Sequence, residues 1–336
     1  MELINKKIKI NNTLILLFVT LVIIVFFSIL SKVLGSNFLT LSNFKTLLRS
    51  TVVFGIIGLG LTPLLIARGL DLSFGASLSL SSVIVAHIYT NIGVNLWVSL
   101  LTGVLICVVI GFLNGILIVR FKLIPLLLTI GMMFILESFA LLVATIGRPE
   151  TGSGGGTGVI TVGMLTEELY WFATKSFLAI PLLSWVLIVL IFIYWFVMDF
   201  TKIGARIKAI GGNPEVATLF GIKTNKIMIL LYLFMGLSTG IATIMVLSVS
   251  GVGSPFLGQN MPLKALSAVL IGGITLTGGS GNVWGTVLGT IIMTVLYNGL
   301  ATLNVGSNYI TVIQGITLIL IVAAYAIRDR NKFSSQ

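Results

Sequence analysis

Residues 265–327 read ALSAVLIGGITLTGGSGNVWGTVLGTIIMTVLYNGLATLNVGSNYITVIQGITLILIVAAYAI, a stretch without a single Asp, Glu, Lys or Arg. A bilayer core about 30 Å thick takes about 20 helical residues per crossing, so this run holds several crossings. Four more uncharged runs, at 50–67, 72–119, 176–198 and 227–263, repeat the pattern. Hydrophobic residues make up 57% of the chain and charged residues 9%, against roughly 25% charged in a soluble domain. A soluble globule is excluded. Lipid-facing backbone must bond within its own segment, and the runs lack the strict alternation of a barrel strand, so the expected fold is an all-α integral membrane protein.

Cutting at charges, prolines and glycine clusters predicts ten crossings, at 14–34, 51–67, 70–90, 94–119, 123–147, 176–198, 227–250, 264–277, 281–300 and 305–327. The run after Lys6, Lys7 and Lys9 is too long for a signal peptide and lacks a small-residue cleavage site, so it reads as the first anchor helix. With both termini cytoplasmic, fourteen Lys and Arg fall on the inner side, and Lys32, Lys45, Arg49, Arg148, Lys175 and Lys264 fall on the outer side. Positive-inside topology accounts for the net charge of +11 better than nucleic acid does. The expected organisation is a tail at 1–13, a transmembrane domain at 14–327 and a tail at 328–336. The single cysteine, Cys107, provides no disulfide or metal framework.

Two hydrophilic segments interrupt the runs. The outer one, 148–175, has a glycine-rich part at 151–158, then Glu167, Glu168 and an interfacial Tyr170-Trp171. The inner one, 199–226, is long and basic, and Asn213 followed by Pro214-Glu215-Val216-Ala217 reads as a capped short helix. An internal repeat is suggested by Asn114-Gly115 in the fourth span and Asn298-Gly299 in the ninth. An offset of five crossings would invert the halves, as in many alternating-access transporters.

The segment 204–222, GARIKAIGGNPEVATLFGI, resembles the cytoplasmic coupling loop of the ribose, galactose and xylose permease family of ABC importers. Residues 69–75 (GLDLSFG), 129–133 (TIGMM) and 272–285 (GGITLTGGSGNVWG) agree with that family in order, and the resemblance runs from about residue 37 to the C-terminus. It implies an all-α permease that works as a pair with a second copy or a paralogue in the bacterial plasma membrane. It also implies an ABC ATPase subunit below and an extracytoplasmic sugar-binding protein above. Gly204, Gly211, Gly212, Asn213, Pro214, Glu215, Ala217 and Gly221 would then form the ATPase-coupling element. Two residues depart from the family: Arg68 stands where glycine is usual, and Glu137 stands where arginine is common.

The residues agree independently. Neither glycine-rich stretch contains the lysine of a phosphate-cradling Walker A loop or the spacing of a dinucleotide site. No cofactor is therefore expected on this chain, and ATP and Mg would be held by the partner ATPase. Asp71, one turn from Arg68, either caps the third helix with Ser73 or lines the pathway. Glu137 lies mid-span and is expected to face the protein interior, as a pathway residue or a hydrogen-bonded helix tie. Gly272, Gly273, Gly279 and Gly281 mark a possible broken helix or gate. Asn114, Asn298 and Gln314 suit either sugar hydroxyls or interhelical bonds, and the glycine spacings 111/115, 236/240 and 281/285/289 suit close helix approach. His87 is weak evidence for proton coupling.

The sequence thus predicts the transport subunit of an ATP-driven importer for a pentose or hexose, itself not an enzyme. A nucleoside or a furanosyl signalling molecule is an alternative substrate. An ion-gradient-driven secondary transporter is the rival mechanism, and a membrane enzyme finds no residue cluster to support it.

Overall fold

The computed structural model describes residues 12–146, 162–164, 167–178 and 180–333. The expected tail at 1–11, the glycine-rich 151–158 and Arg148 of the 148–175 segment, and residues 334–336 lie outside the described residues. The helices are α1 (Asn12–Val33), α2 (Leu41–Ile66), α3 (Phe74–His87), α4 (Leu96–Phe121), α5 (Pro125–Thr145), α6 (Glu167–Thr174), α7 (Leu182–Phe200), α8 (Lys202–Gly212), α9 (Pro214–Leu219), α10 (Thr224–Ser250), α11 (Met261–Ile271), α12 (Val283–Thr302) and α13 (Ser307–Phe333). Among the described residues, α1, α2, α4, α5, α7, α10 and α12 are long and apolar enough to cross a membrane. The chain is an all-α multi-pass membrane protein. The Tyr170-Trp171 pair lies on α6, with both rings exposed.

Two predicted spans need correction. The second begins at Leu41, where Thr40 accepts from the Asn43 amide, so Lys45 and Arg49 lie inside the helix rather than in a loop before it. Cutting at charges truncated it, although long basic side chains are tolerated near helix ends. The eighth is not a full span: α11 has 11 residues, about 16 Å at 1.5 Å per residue, short of the bilayer core. The third holds, because the 14 residues of α3 run straight into a five-residue π-helical turn at Ile88–Ile92.

Helices α3 and α11 each follow a non-helical segment that packs back into the bundle. Residues 67–73 leave the end of α2, and both backbone groups of Leu70 are bonded by the Tyr232 hydroxyl two turns into α10. Residues 251–260 descend alongside α3, where Ser82 bonds Ser254 and the Gly258 amide donates to Ser79 Oγ at 2.8 Å. The two helix starts abut: a Cβ on Gly75 would strike Gly258 and Pro262.

Packing follows the five-crossing offset. Helix α4 packs on α10 as α12 packs on α2; α3 packs on α4, α5 and α10 as α11 packs on α12, α13 and α2. The repeat suggested by two Asn-Gly pairs thus shows as matching neighbours for α2–α5 and α10–α13, whereas α1 and α7 pack differently, α1 on α12 and α7 on α2.

Helix α2 is the axis, buried continuously from Gly55 to Ala67. Around it, small residues set helix spacing, the expected means of approach where lipid removes the hydrophobic drive between helices. Gly111 and Gly115 of α4 face the backbone of Tyr232, Ile229 and Gly236, while Gly236 and Gly240 face Cys107 and Val104. Gly285 and Gly289 of α12 meet Gly272 and Ala268 in the same manner, whereas Gly281 precedes the helix with φ of 140°. Helix α5, by contrast, is largely uncovered, and Gly131 has open space at its Cβ position.

Gly111→Val is therefore expected to lose folded yield, since overpacking costs about 1–3 kcal/mol. Gly131→Val should keep it. Fluorescence-detected size exclusion of detergent-solubilised membranes checks both.

Candidate functional site

One polar assembly lies on the side carrying the basic connection between α7 and α10. Thr201 caps α8 by accepting from the Ile203 amide, and Lys208 pairs with Asp199 at 2.8 Å. Helix α8 was not foreseen in the sequence. Asn213 ends it and starts α9, its Oδ1 accepting from the Glu215 and Val216 amides at 2.9 and 3.1 Å, with Pro214 at the first helical position. Gly221, with φ of 78°, closes α9, and the Ile222 amide returns to the Ala217 carbonyl.

Ala217 is buried, but the end of α9 is bare: Leu219 is 86% and Phe220 84% exposed. Of the other predicted coupling residues, Gly204 lies against the Met198 backbone, Gly212 touches nothing at its Cβ position, and Gly211 packs on Ile66 and Gly279. Arg68, a residue whose partner the sequence did not reveal, donates from Nε to the Gly211 carbonyl at 2.7 Å and from Nη2 to the Gly212 carbonyl at 2.6 Å.

The second assembly surrounds the start of α3. Asp71 is buried, and its Oδ1 accepts from both the Ser73 amide, at 2.7 Å, and the Ser73 hydroxyl, at 2.6 Å. Asn114 Nδ2 donates to Ser73 Oγ at 2.9 Å, which leaves its buried Oδ1 without a protein partner. A few residues along α3, a pocket of about 80 Å³ is lined by Ala76, Ser79, Glu137, Leu141, Pro255, Phe256 and Gln259. Glu137, for which the sequence left a pathway role and a helix tie open, is half-buried and lines a pocket formed where α5 meets the re-entrant segment. Pro255 lies within that segment and Pro262 just after it, a breaker signal in the sequence that could have marked it.

The remaining predicted residues lie apart. Asn298 donates to Asn43 Oδ1 at 2.9 Å between α12 and the first turn of α2. Gly272, Gly273 and Gly281 line a pocket of about 150 Å³ at the break between α11 and α12, whereas Gly279 packs against the α8–α9 junction. The structure thus joins Asp71 to Asn114, sets Glu137 nearby across α3, and keeps Asn298 separate. Near the end of α3, His87 Nδ1 lies 3.0 Å from Asn91 Nδ2.

A multi-span helical bundle interrupted by bonded non-helical segments, with a capped helix projecting from one basic side, fits a membrane transport permease. Residues 43–322 match the family described as "Branched-chain amino acid transport system / permease component", and the chain belongs to that family. It is 34% identical to the ribose import permease protein RbsC of Bacillus subtilis (strain 168), over 90% of this chain and 89% of that protein. The corresponding protein of Escherichia coli (strain K12) is 31% identical over 86% and 87%. The autoinducer 2 import system permease protein LsrD of E. coli (strain SMS-3-5) is 27% identical over 91% and 88%. No solved structure matches the chain. The chain is accordingly a multi-pass protein of the bacterial inner membrane, within the monosaccharide ABC permease group its motifs resemble.

Asp71→Ala leaves the buried Ser73 amide without its acceptor and should cost about 1–3 kcal/mol. Asp71→Asn retains an oxygen there. A lowered thermal midpoint in detergent for the alanine variant, with a much smaller change for asparagine, is the expected result.

Proposed function

We propose that this chain is the membrane-spanning subunit of an ATP-driven importer for a small sugar, with the α8–α9 side facing the cytoplasm. The observation that carries the reading is the end of α9. A short helix held rigid by Asn213 and Pro214 presents Leu219 and Phe220 bare on a basic, membrane-peripheral connection. Such an apolar knob is suited to a groove in a partner, and in this family's architecture the partner is the ABC ATPase. ATP and Mg belong to that subunit. An extracytoplasmic binding protein would deliver substrate to the opposite side.

The pathway is assigned to the space between two permease copies, along α5 and the re-entrant segment 251–260. A charge at mid-membrane costs about 2.5–3.5 kcal/mol even on insertion scales, so the uncovered face of α5 that carries Glu137 is unsuited to lipid. Phe256 and Gln259, both exposed beside Glu137, supply an aromatic ring and an amide for a hydroxylated solute. Alternating access would follow from displacement of α9 by the ATPase. Ribose is the first substrate to test, because two of the relatives are ribose import permeases. Autoinducer 2 is the second, from the LsrD similarity.

The test is coexpression with the candidate ATPase. Replacing Leu219 and Phe220 with serine should leave insertion unchanged and cut copurified ATPase more than about tenfold, since burying each side chain is worth about 1.5–3 kcal/mol. Wild-type copurification would sink the docking role of α9. Uptake by the chain alone, indifferent to ATP and stopped by an ionophore, would favour gradient-driven transport instead.

Glu137→Gln should preserve yield, and Glu137→Lys should reduce it, because lysine needs a new partner in the assembled interior. Membrane yield of the two variants decides, and equal yields would remove Glu137 from the assembled interior.

A further inference from the structure

We infer that Arg68 is the positioning residue through which displacement of α9 reaches the start of α3 and the break between α11 and α12. The inference rests on the reading of α9 as the ATPase-docking element. Its basis is a three-way joint. Arg68 grips the last two carbonyls of α8, at Gly211 and Gly212, with two N–H donors. Those carbonyls form the negative end of the α8 dipole, where a guanidinium is favoured, and α9 starts one residue later at Pro214.

The same joint holds the break between α11 and α12. The Gly279 amide donates to the Ile66 carbonyl at 2.8 Å. Gly211 is wedged so closely against Ile66 and Gly279 that a Cβ would collide with both, and a Cβ on Gly278 would collide with the Arg68 side chain. Residues 67–73 leave this joint for the start of α3, and residues 272–282 join α11 to α12 beside it. Helix α9 also touches α10, which packs on α3. The joint at 66–68 and 278–279 differs from that packing contact in being hydrogen-bonded to the end of α8 and continuous in the chain with both α3 and the α11–α12 break.

Arg68 also occupies a backbone conformation, φ of 66°, that glycine takes without strain. The side chain can accordingly be removed with little penalty to the backbone. That separates the linkage from folding.

The experiment uses the permease–ATPase complex in detergent, with ATP and vanadate to trap the ATPase. Cys107 is buried, so a cysteine introduced at the exposed Leu276 or the exposed Lys202 is the thiol that a water-soluble maleimide reads. In the otherwise wild-type chain, trapping should change the labelling rate at both positions. In Arg68→Gly, the change at Lys202→Cys should persist while that at Leu276→Cys shrinks at least roughly twofold, the lower end of what residues along a coupling route contribute. Arg68→Lys, with a point charge in place of a planar fork, should fall between.

An unaltered response at Leu276→Cys in Arg68→Gly overturns the inference while leaving the ATPase reading intact. Loss of copurified ATPase in Arg68→Gly also overturns it, because Arg68 would then only hold α8 for docking. A wild-type chain that copurifies no ATPase overturns the underlying reading, and this inference with it.

Discussion

A buried backbone amide or carbonyl must find a partner inside the protein, because neither hydrocarbon nor a packed interior supplies one. Three non-helical segments in this chain, 67–73, 251–260 and 272–282, meet that requirement by different means. Tyr232 serves both backbone groups of Leu70, one as donor and one as acceptor. Ser79 and Ser82 serve Gly258 and Ser254. Ile66 serves Gly279. Part of the serine richness of α3 follows: Ser79 and Ser82 are buried partners for the irregular chain beside the helix, while the buried Ser81 bonds the Gly103 carbonyl of α4 and Ser77 bonds the Ser73 carbonyl. Interrupted helices are possible here because their neighbours complete them.

The two assemblies on either side of those interruptions differ in kind. At the start of α3, Asp71, Ser73 and Asn114 form a dry, mutually bonded cluster, and only Asn114 Oδ1 is left over. On α5, Glu137 has space in front of it rather than a partner. The first arrangement fixes a backbone turn; the second presents a functional group. The sequence left both carboxylates open to either role, because their spacing from neighbouring helices is a tertiary fact.

Legibility followed the same division. Composition, uncharged runs and the Asn213-Pro214 cap were enough to predict a multi-helix membrane protein with a short helix at 214–217, because each depends on local residues. The early end of α11 was not legible, since hydropathy counts residues without regard to whether their backbone is helical: 272–277 carries no charge that would interrupt a span. The position of Lys45 and Arg49 was misread because a charge was taken as a helix boundary. The partner of Arg68 lies 143 residues away in the chain, and the family pattern, with glycine at that position, offered no hint of it.

The contact between α4 and α10 is made largely by glycine Cα atoms and carbonyls, at Gly111, Gly115, Gly236 and Gly240. Glycine has no rotamers to lose, so closing this seam carries no side-chain entropy penalty at those positions. Its attraction is the dispersion between closely apposed backbones. At these positions the strength of the seam therefore rests on backbone fit, and a single added methyl group would act on the distance between the two helices rather than on one side chain.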